Sequence, residues 1–586
     1  MNKTAISTII GSVVTAMIFS SSVVLAGGLS KNAKRAAKKA PTEMVDLIVT
    51  YKHDLKFKHQ DKINKKHGKI RRKLKKIKGQ AITLPAGEIN NLSMDADVAM
   101  ISLDHPVVNL GEKNSVTTTT TKSLPSSVGF SYPELFEMSY TGQGVTVAVL
   151  DSGFAKHHDL KPLVVESFVS DDKTIDVYGH GNHVAGIVAG TGKKSNGLYR
   201  GVAPGADILS LRVLDDQGAG LTSDVIEGLE WVLENKDAYD IRVVNLSLGH
   251  PVFESASDDP LVQAAEALWD AGIVVVCSAG NNGKSGYGSI TSPGNSSKVI
   301  TVGSITHWGD NDPSNDIVSS YSSMGPTKGD HFVKPDLLAP GNRVIAPKAS
   351  RSYMEKNFKN RMVSAPKQKG SEYFQLSGTS MSAAVVTGAV ALMLEKDPTL
   401  TPDTIKARLM RSATKPGVAD VYFLRSKIPH CIHNNRFTFS MLQNSKSVFF
   451  SVNSIFATGA GVLNIKAALD ETGFVDNATS PRVYRDEQTG MIGFDKTSVL
   501  WGGEEWSLSY LWSDSYLWSD SYLWNDSYLW SDGYLKSDSY LWSDSYLWSD
   551  SYLWSDSYLW SDSYLWSDSY LWSDSAVTAD SNLVDD

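Results

Sequence analysis

The sequence of 586 residues predicts an α/β protein with a doubly wound, mostly parallel sheet, preceded by a small α+β domain and followed by a β-rich repeat tail. Short runs of β-branched and apolar residues, such as 145–150 and 273–277, are typical of buried parallel strands. The almost wholly apolar segment 381–394 predicts a buried helix. A hexapeptide repeat from residue 509 onward predicts a separate tail.

Residues 1–26 have the pattern of a secretory signal peptide, with a basic Lys3, an apolar stretch and a small-residue end at Val24-Leu25-Ala26. We therefore predict export with cleavage after Ala26. No later stretch approaches the roughly 20 apolar residues of a membrane helix, so no transmembrane segment is expected. For the two cysteines, Cys277 and Cys431, we expect two thiols rather than a disulfide.

Residues 27–110 carry the pattern of a small α+β domain whose core we expect at about residues 45–108. Strands are predicted at 47–51, 81–84 and 98–103, and helices over the basic run 62–78 and at 88–93, which is most of a split βαβ order. Residues 1–122 hold 21 Lys and Arg against 9 Asp and Glu, a balance of +12, and the chain total of −8 leaves −20 for residues 123–586. Such a basic run can bind nucleic acid or an anionic membrane. We favour attraction to the acidic remainder of the chain and expect no nucleic-acid partner.

Three segments far apart in the sequence each contain one residue type of a nucleophilic hydrolase. They are Asp151-Ser152-Gly153 after an apolar run, His180-Gly181-Asn182-His183, and Gly378-Thr379-Ser380-Met381 at the start of an apolar helix. A serine hydroxyl is a weak nucleophile, so it needs a base within hydrogen-bond reach and a carboxylate that orients the base. Because Asp151 ends a predicted parallel strand, it lies at the edge where open α/β sheets place their sites. We expect His183 to be a packed structural histidine.

Asn281 completes the set, since it follows a predicted strand and its amide suits donation to the oxyanion of acyl transfer. With the order Asp, His, Ser, the chain resembles the subtilisin-like serine proteases. The likeness spans roughly residues 125–470 and continues in Gly201-Val202-Ala203-Pro204, Asn245-Leu246-Ser247-Leu248-Gly249, Lys334-Pro335-Asp336-Leu337-Leu338-Ala339-Pro340-Gly341 and Gly459-Ala460-Gly461-Val462-Leu463-Asn464.

The resemblance implies a role for each of these residues. Asp151 would orient His180, His180 would act as general base and then acid, and Ser380 would be the nucleophile. Asn281 and the backbone N–H of Ser380 would bind the oxyanion. The family usually has Pro-His where this chain has Ala384-Val385. A catalytically inactive relative is therefore an alternative interpretation.

The domain organisation also follows from the resemblance. Residues 27–110 look like the family's inhibitory propeptide, with a ferredoxin-like α+β fold. Residues 111–470 look like its subtilisin-like catalytic domain, with an insertion at about 415–458. We expect the propeptide to inhibit its own enzyme and maturation to occur at the Leu110–Gly111 bond, within a window of 107–122.

Substrate contacts are predicted by matching motifs of the family. Peptide substrates are expected to pair as extended strands with two edges, Gly218-Ala219-Gly220 and Ser247-Leu248-Gly249. Ser278-Ala279-Gly280 would form a pocket wall and Thr291 the pocket floor, which favours an apolar residue before the cleaved bond. No cofactor is expected for catalysis. Asp159 matches a calcium ligand of some relatives, so structural calcium is a candidate.

Residues 509–574 repeat the hexapeptide Ser-Tyr-Leu-Trp-Ser-Asp 11 times and contain 10 of the 15 tryptophans. Because six is a multiple of the strand period of two and not of 3.6, the repeat predicts β structure. We expect residues 471–508 to be a linker and 575–586 a C-terminal end. Three hypotheses stay open for the tail: it binds a cell-surface polymer or polysaccharide, it self-associates through exposed strands, or it has no selected ligand.

These observations predict a secreted serine endopeptidase that is made as an autoprocessed preproprotein and acts on protein or peptide substrates. We expect a secreted, extracellular protein, and retention at the cell surface through the tail is one of the open alternatives. The alternative from another class is a non-catalytic cell-surface adhesive or structural protein whose protease-like domain only displays the repeats.

Overall fold

The computed structural model of the chain describes residues 27–109, 139–171, 173–307, 316–366, 370–414, 455–485 and 492–494. The predictions for the signal peptide (1–26), Cys431, most of the insertion (415–454) and the repeat tail (509–574) fall outside these described residues.

The N-terminal domain, residues 27–109, is built on a five-stranded sheet. Its elements are β1 (Gly28–Leu29), α1 (Lys31–Lys39), β2 (Met44–Tyr51), α2 (Phe57–Lys65), β3 (Lys69–Leu74), β4 (Gly79–Pro85), α3 (Ile89–Ser93) and β5 (Val98–Leu103), with a 3₁₀ turn at Ala86–Glu88. The sheet order is β1-β5-β2-β4-β3, with β1 parallel to β5 and the other neighbours antiparallel. Apolar side chains of β2, β4 and β5 pack with the helices in a core of their own.

The basic run 62–78, predicted as one helix, is a helix end followed by a strand. α2 ends at Lys65, His67 has a φ of 58°, and the N–H of Gly68 donates to the carbonyl of Ile63. A glycine just past a helix end is a common stop signal. Residues 69–74 then form β3 and pair with β4. The helix prediction was wrong because it followed the charge of the run and overlooked the stop at His67-Gly68.

The core of this domain also begins earlier than residue 45. Ala33 and Ala37 of α1 are buried, and the N–H of Gly27 donates to the carbonyl of Ser93. The buried face of α1 consists of alanines among lysines, so its sequence shows only a weak apolar pattern.

The remaining described strands are β6 (Pro106–Asn109), β7 (Thr146–Asp151), β8 (Val164–Ser167), β9 (Asp207–Arg212), β10 (Ala219–Leu221), β11 (Ile241–Leu246), β12 (Leu248–Pro251), β13 (Val274–Ser278), β14 (Thr291–Ser292), β15 (Ile300–Thr306), β16 (Ile317–Val318), β17 (Leu337–Pro340), β18 (Val344–Pro347), β19 (Met362–Val363), β20 (Tyr373–Leu376), β21 (Val483–Arg485) and β22 (Ile492–Phe494). The helices are α4 (His180–Ala189), α5 (Thr222–Tyr239), α6 (Pro260–Asp270), α7 (Tyr353–Asn357), α8 (Thr379–Lys396), α9 (Pro402–Ser412), α10 (Ile455–Thr458) and α11 (Ile465–Asp470), with 3₁₀ turns at Lys193–Ser195, Gly283–Ser285 and Lys359–Arg361. None of these described helices is long and apolar enough to cross a membrane.

The large domain is organised around an eight-stranded sheet of order β16-β15-β13-β11-β7-β9-β8, in which β17 also pairs with β15. All pairs are parallel except that of β15 with β16. Two pairs of helices cover it: α4 packs on α8, and α5 packs on α6. The strands are buried and continuously apolar, as expected of a parallel sheet between helices. The predicted mostly parallel α/β sheet is confirmed.

The C-terminal boundary at residue 470 is wrong, because the next residues pack on the large domain. Ser480 donates to Asp336 Oδ1 at 2.5 Å and accepts from Lys406 Nζ at 2.8 Å. Asp336 and Lys406 are fully buried, so Ser480 completes the hydrogen bonding of buried charges. The predicted insertion also ends too late, since α10 is buried and the carbonyl of Phe456 accepts from Gly325 N.

We expect Ser480→Ala to lower the free energy of unfolding by about 1.5–3 kcal/mol, because it removes hydrogen bonds to buried charged groups. Truncation after residue 470 is expected to destabilise the protein more, whereas truncation after residue 508 serves as the matched control and retains these contacts. The free energies of unfolding of Ser480→Ala and of the two truncated proteins are measured by urea unfolding in the Ser380→Ala background. If the protein truncated after residue 470 were as stable as the one truncated after residue 508, the predicted end of the catalytic domain at residue 470 would be correct.

Candidate active site

A carboxylate and an imidazole meet at the carboxyl edge of the large sheet. Asp151 is the last residue of β7 and His180 is the first residue of α4. His180 Nδ1 donates to the Asp151 carboxylate at 2.8 and 2.9 Å, and both side chains are buried. Among the described residues, His180 Nε2 has no hydrogen-bond partner. The imidazole is thus held in one orientation, with the nitrogen that can accept a proton left available.

The start of α4 is held by Asp176, a residue that the sequence analysis overlooked. Its carboxylate accepts hydrogen bonds from the N–H of Gly179 at 2.6 Å, the N–H of Asn182 at 2.8 Å and the hydroxyl of Ser152 at 2.8 Å. The Ser152 hydroxyl in turn accepts from Gly181 N–H at 2.9 Å. Burial raises the pKa of Asp176 to about 6. No pattern in the sequence marks Asp176, because its contact with Ser152 forms only when α4 packs against the loop after β7.

Ser380 is the second residue of α8 and reaches the same edge of the sheet. Its Oγ donates to the carbonyl of Ser247 at 3.3 Å, and Ser247 Oγ donates to the carbonyl of Ser380 at 3.0 Å. Asn245 Nδ2 donates to Ser247 Oγ at 2.8 Å, and Thr387 Oγ1 donates to Asn245 Oδ1 at 2.9 Å. These hydrogen bonds fix the start of α8 to the end of β11.

Asn281 follows β13 and lies against the first turn of α8. Its Oδ1 accepts from the N–H of Thr379 at 3.0 Å and from Thr379 Oγ1 at 2.9 Å. Because the side-chain carbonyl is held by Thr379, the NH₂ group points the other way. A fixed amide donor beside a helix N-terminus can stabilise a developing negative charge.

The two predicted substrate edges lie on either side of β6, the last strand of the N-terminal domain. β6 runs antiparallel to β10, with Val108 opposite Ala219 and Val107 opposite Gly220. It also runs antiparallel to β12, with Asn109 opposite Leu248 and Val108 opposite Gly249.

The first residue of each edge lies next to the described end of β6. The N–H of Asn109 donates to the carbonyl of Gly218 at 3.1 Å. Ser247 directly precedes β12, and the predicted maturation bond, Leu110–Gly111, lies outside the described residues. Five of the six predicted edge residues therefore pair with or contact β6: Gly218, Ala219, Gly220, Leu248 and Gly249.

The residues predicted to form a pocket wall are Ser278, which ends β13, and the two residues that follow it. Thr291 N–H donates to the carbonyl of Ala279 at 3.0 Å, and Gly280 N–H donates to Thr379 Oγ1 at 3.2 Å. A Cβ on Gly280 would lie 2.8 Å from Thr291 Cγ2. Ser278 Oγ donates to the carbonyl of Leu246 at 3.4 Å. Thr291 thus lies against this wall, and Gly280 connects the wall to Thr379, the residue before Ser380.

Asp159 does not have the surroundings of a calcium ligand. Its Oδ1 accepts from Lys194 N–H at 2.9 Å and its Oδ2 accepts from the Tyr373 hydroxyl at 2.5 Å. In the part of the chain that the structure describes, no three acidic, histidine or cysteine side chains gather in a metal-binding group. Calcium prefers six to eight oxygen ligands, so these residues do not fit the ion at this position.

Two further predictions concern buried groups near the sheet. His183 Nε2 donates to the carbonyls of Val344 at 3.1 Å and Phe374 at 3.0 Å, and burial lowers the pKa of His183 to about 3. This neutral, packed histidine confirms the structural role predicted for it. Cys277 is a buried free thiol whose pKa burial raises to about 12.

The N-terminal domain contacts the first turns of α5 with both polar and charged groups. The Asp104 carboxylate accepts from Ser223 N–H at 2.9 Å and from Ser223 Oγ at 2.7 Å. Arg72 pairs with Asp224 at 2.7 Å and with Glu227. A carboxylate at a helix N-terminus and opposite charges along the helix both favour this contact. The Asp104 contact was also missed, because nothing near it in the sequence marks the helix that it meets.

Residues 142–428 match the sequence profile described as the subtilase family. The serine protease AprX of Bacillus subtilis (strain 168) is 42% identical over 283 residues, which are 47% of this chain and 62% of AprX. Subtilisin NAT of Bacillus subtilis subsp. natto is 30% identical over 415 residues, which are 69% of this chain and 94% of subtilisin NAT.

Among solved structures, fervidolysin from Fervidobacterium pennivorans, a keratinolytic enzyme related to subtilisin, matches with a TM-score of 0.54. The match has 20% identity and covers 76% of this chain and 63% of the fervidolysin chain. At this identity the likeness shows the fold alone. The matched part of this chain spans less than two thirds of the length of AprX and of fervidolysin, but nearly all of subtilisin NAT.

We expect Asp176→Asn to lower kcat for peptide hydrolysis at least about tenfold, because its NH₂ group would face a backbone N–H donor and displace the start of α4. A shift of about 1 Å at a catalytic group can cost about 100-fold. Asp237→Asn, on the exposed end of α5, is the matched control. Unchanged kcat in a folded Asp176→Asn protein would contradict the positioning role.

The stability difference between wild type and Asp176→Asn is also expected to depend on pH. Since the folded pKa of Asp176 is about 6 and its ordinary value is 3.8, the folded state keeps a proton between these pH values that the unfolded chain has lost. This carboxyl therefore makes wild-type stability fall as pH rises from about 4 to 6. We expect the stability advantage of wild type over Asp176→Asn to shrink across that range in urea unfolding.

Proposed function

Because this chain belongs to the subtilase family of serine-type endopeptidases, we propose that it hydrolyses peptide bonds in proteins through Asp151, His180 and Ser380. The observation that carries this proposal is the buried Asp151–His180 hydrogen bond, which leaves Nε2 of the imidazole without a partner among the described residues. Ser380 is fixed to the same edge of the sheet by its contacts with Ser247.

In the acylation step, Ser380 Oγ attacks the carbonyl carbon of the substrate while His180 Nε2 takes the hydroxyl proton. Asp151 accepts the Nδ1–H bond throughout and stabilises the imidazolium that forms. Collapse of the tetrahedral intermediate breaks the C–N bond, and His180 gives its proton to the leaving amine. Water then attacks the carbonyl carbon of the acyl-enzyme, with His180 again acting first as base and then as acid.

Charge on the tetrahedral oxygen is stabilised by the side-chain NH₂ of Asn281 and the backbone N–H of Ser380. This role is supported by the way Thr379 holds the other end of the Asn281 amide. Such donors act most strongly on the oxyanion and little on the ground-state carbonyl.

The N-terminal domain is proposed to be the inhibitory propeptide of this enzyme. Its strand β6 occupies the groove between β10 and β12 that would bind substrate, and its basic face contacts acidic α5. Asn109 pairs with Leu248, and the residue before Leu248 is Ser247, whose carbonyl accepts from Ser380 Oγ. This register supports the Leu110–Gly111 bond as the first bond cleaved.

We also propose that the protein is secreted and that its tail forms a separate segment. The pattern of residues 1–26 supports secretion. The tail, residues 509–574, is proposed to be separate from the catalytic domain and to act, if it has a ligand, in retention at the cell surface or in self-association.

We expect Ser380→Ala and His180→Ala each to lower kcat by about 10⁶, which is the magnitude established for these groups in subtilisin. The double variant should show no further loss. Asn281→Ala should cost about 10²–10³ in kcat with little change in KM. A fluorophosphonate probe should label wild type and the exposed control Ser257→Ala but not Ser380→Ala. Absence of labelling in the processed wild-type protein would favour the adhesive alternative.

N-terminal sequencing of the secreted protein is expected to find a mature start at Gly111, within the window 107–122. Ser380→Ala should accumulate unprocessed, since the cut depends on the chain's own nucleophile, unless another protease cuts it. A fully active protein that starts at Gly27 would refute the propeptide.

Deletion of residues 509–574 is expected to leave kcat/KM on small peptides unchanged within about twofold, as for independent domains. Any effect should appear in cell-surface retention, binding to insoluble polymer or assembly size. The isolated repeat should give a strand-rich circular dichroism spectrum. Loss of peptide hydrolysis on deletion would show that the tail supports the catalytic domain.

A further inference from the structure

The side chain of Asn109 is bound as closely as its backbone. Asn109 is 2% exposed, and its Nδ2 donates to the carbonyl of Gly218 at 2.9 Å. The same side chain is hydrogen bonded to the hydroxyl of Tyr178. The amide is therefore buried between a carbonyl acceptor of one substrate edge and a phenol beside the catalytic pair.

Tyr178 is itself fixed in place. It precedes His180 by two residues, is 4% exposed, and stacks on Tyr353 with ring centroids 5.6 Å apart and planes at 9°. Its carbonyl accepts from Met354 N–H at 3.0 Å, which ties its backbone to α7. Because the ring is fixed, the Tyr178 hydroxyl cannot rotate away at low energetic cost from a ligand that offers it no hydrogen bond.

Gly218 makes the space for this contact. Its φ is +74°, and a Cβ there would lie 2.3 Å from Asn109 Nδ2 and 2.7 Å from the Tyr178 ring. Any other residue at position 218 would be strained in backbone and would fill the site that the amide occupies.

The strand register gives Asn109 a defined position relative to the chemistry. Asn109 pairs with Leu248, and the preceding residue, Ser247, is hydrogen bonded to Ser380. With the proposed first cut at the 110–111 bond, Asn109 is the second residue before the cleaved bond. Its side chain thus occupies the place that the corresponding substrate residue takes.

We propose that Tyr178 and the Gly218 carbonyl form a subsite that selects a side-chain carboxamide, so that peptides with Asn two residues before the cleaved bond are preferred substrates. The inference rests on the proposed function. Leucine has the shape of asparagine but would leave the Tyr178 hydroxyl without this partner and the Gly218 carbonyl with the backbone N–H as its one donor from the peptide. Aspartate would lack the NH₂ donor and would bring a negative charge near Asp151 and Asp176.

The test uses mature enzyme and blocked Val-Val-X-Leu 4-nitroanilides, in which X is Asn, Leu, Asp or Ala and the other residues copy 107, 108 and 110. We expect kcat/KM for Asn to exceed that for Leu and Asp at least about tenfold, since a site built for a hydrogen-bonding group rejects analogues that lack it. Equal kcat/KM for Asn and Leu would overturn the subsite.

Tyr178→Phe separates recognition from a general structural role. The ratio of kcat/KM for Asn over Leu should fall at least about fivefold in Tyr178→Phe and stay unchanged in Tyr239→Phe, a control at the far end of α5. An equal loss on every peptide, with the ratio intact, would overturn the assignment to Tyr178. If no peptide is cleaved and a fluorophosphonate does not label Ser380, the proposed function fails together with this inference.

Discussion

The hydrogen bond between the Asp151 carboxylate and His180 Nδ1 is the constraint on which the arrangement of the site depends. It joins the carboxyl end of a central strand to the first residue of a helix 29 positions later in the chain. For the two to meet, α4 must begin against the loop after β7. Gly181 allows this approach, since a Cβ there would lie 2.5 Å from the carbonyl of Gly153. Asp176 and Ser152 then hold the approach with hydrogen bonds to the backbone of α4.

A second set of contacts brings α8 to the same edge. The hydrogen bonds that run from Thr387 through Asn245 to Ser247 connect the interior of α8 with the end of β11. Each of these polar side chains is buried and paired, as a rigid buried network requires. Ser380 therefore has a fixed position relative to β12, and any strand that pairs with β12 is placed in register with it.

The N-terminal domain uses this register and adds contacts of its own. β6 supplies the paired strand, while Asp104 and Arg72 bind the N-terminal half of α5. The two contacts are close in the chain, because β10, with which β6 also pairs, leads directly into α5. A domain held at both places keeps its last strand aligned with the groove, which a free peptide must achieve through side-chain contacts such as those of Asn109.

The sequence by itself determined the features that a local pattern encodes: the buried strands β7 and β13, the apolar helix α8, and the positions of Asp151, His180 and Ser380 at element ends. It misjudged the basic run 62–78, whose strand becomes apparent only when β4 pairs with it. The tertiary structure alone decided that Asp176 holds the start of α4, that Tyr178 meets Asn109, and that the segment around Ser480 belongs to the large domain. The physical reason is that these hydrogen bonds join groups whose proximity depends on sheet register and helix packing, and no local periodicity records either.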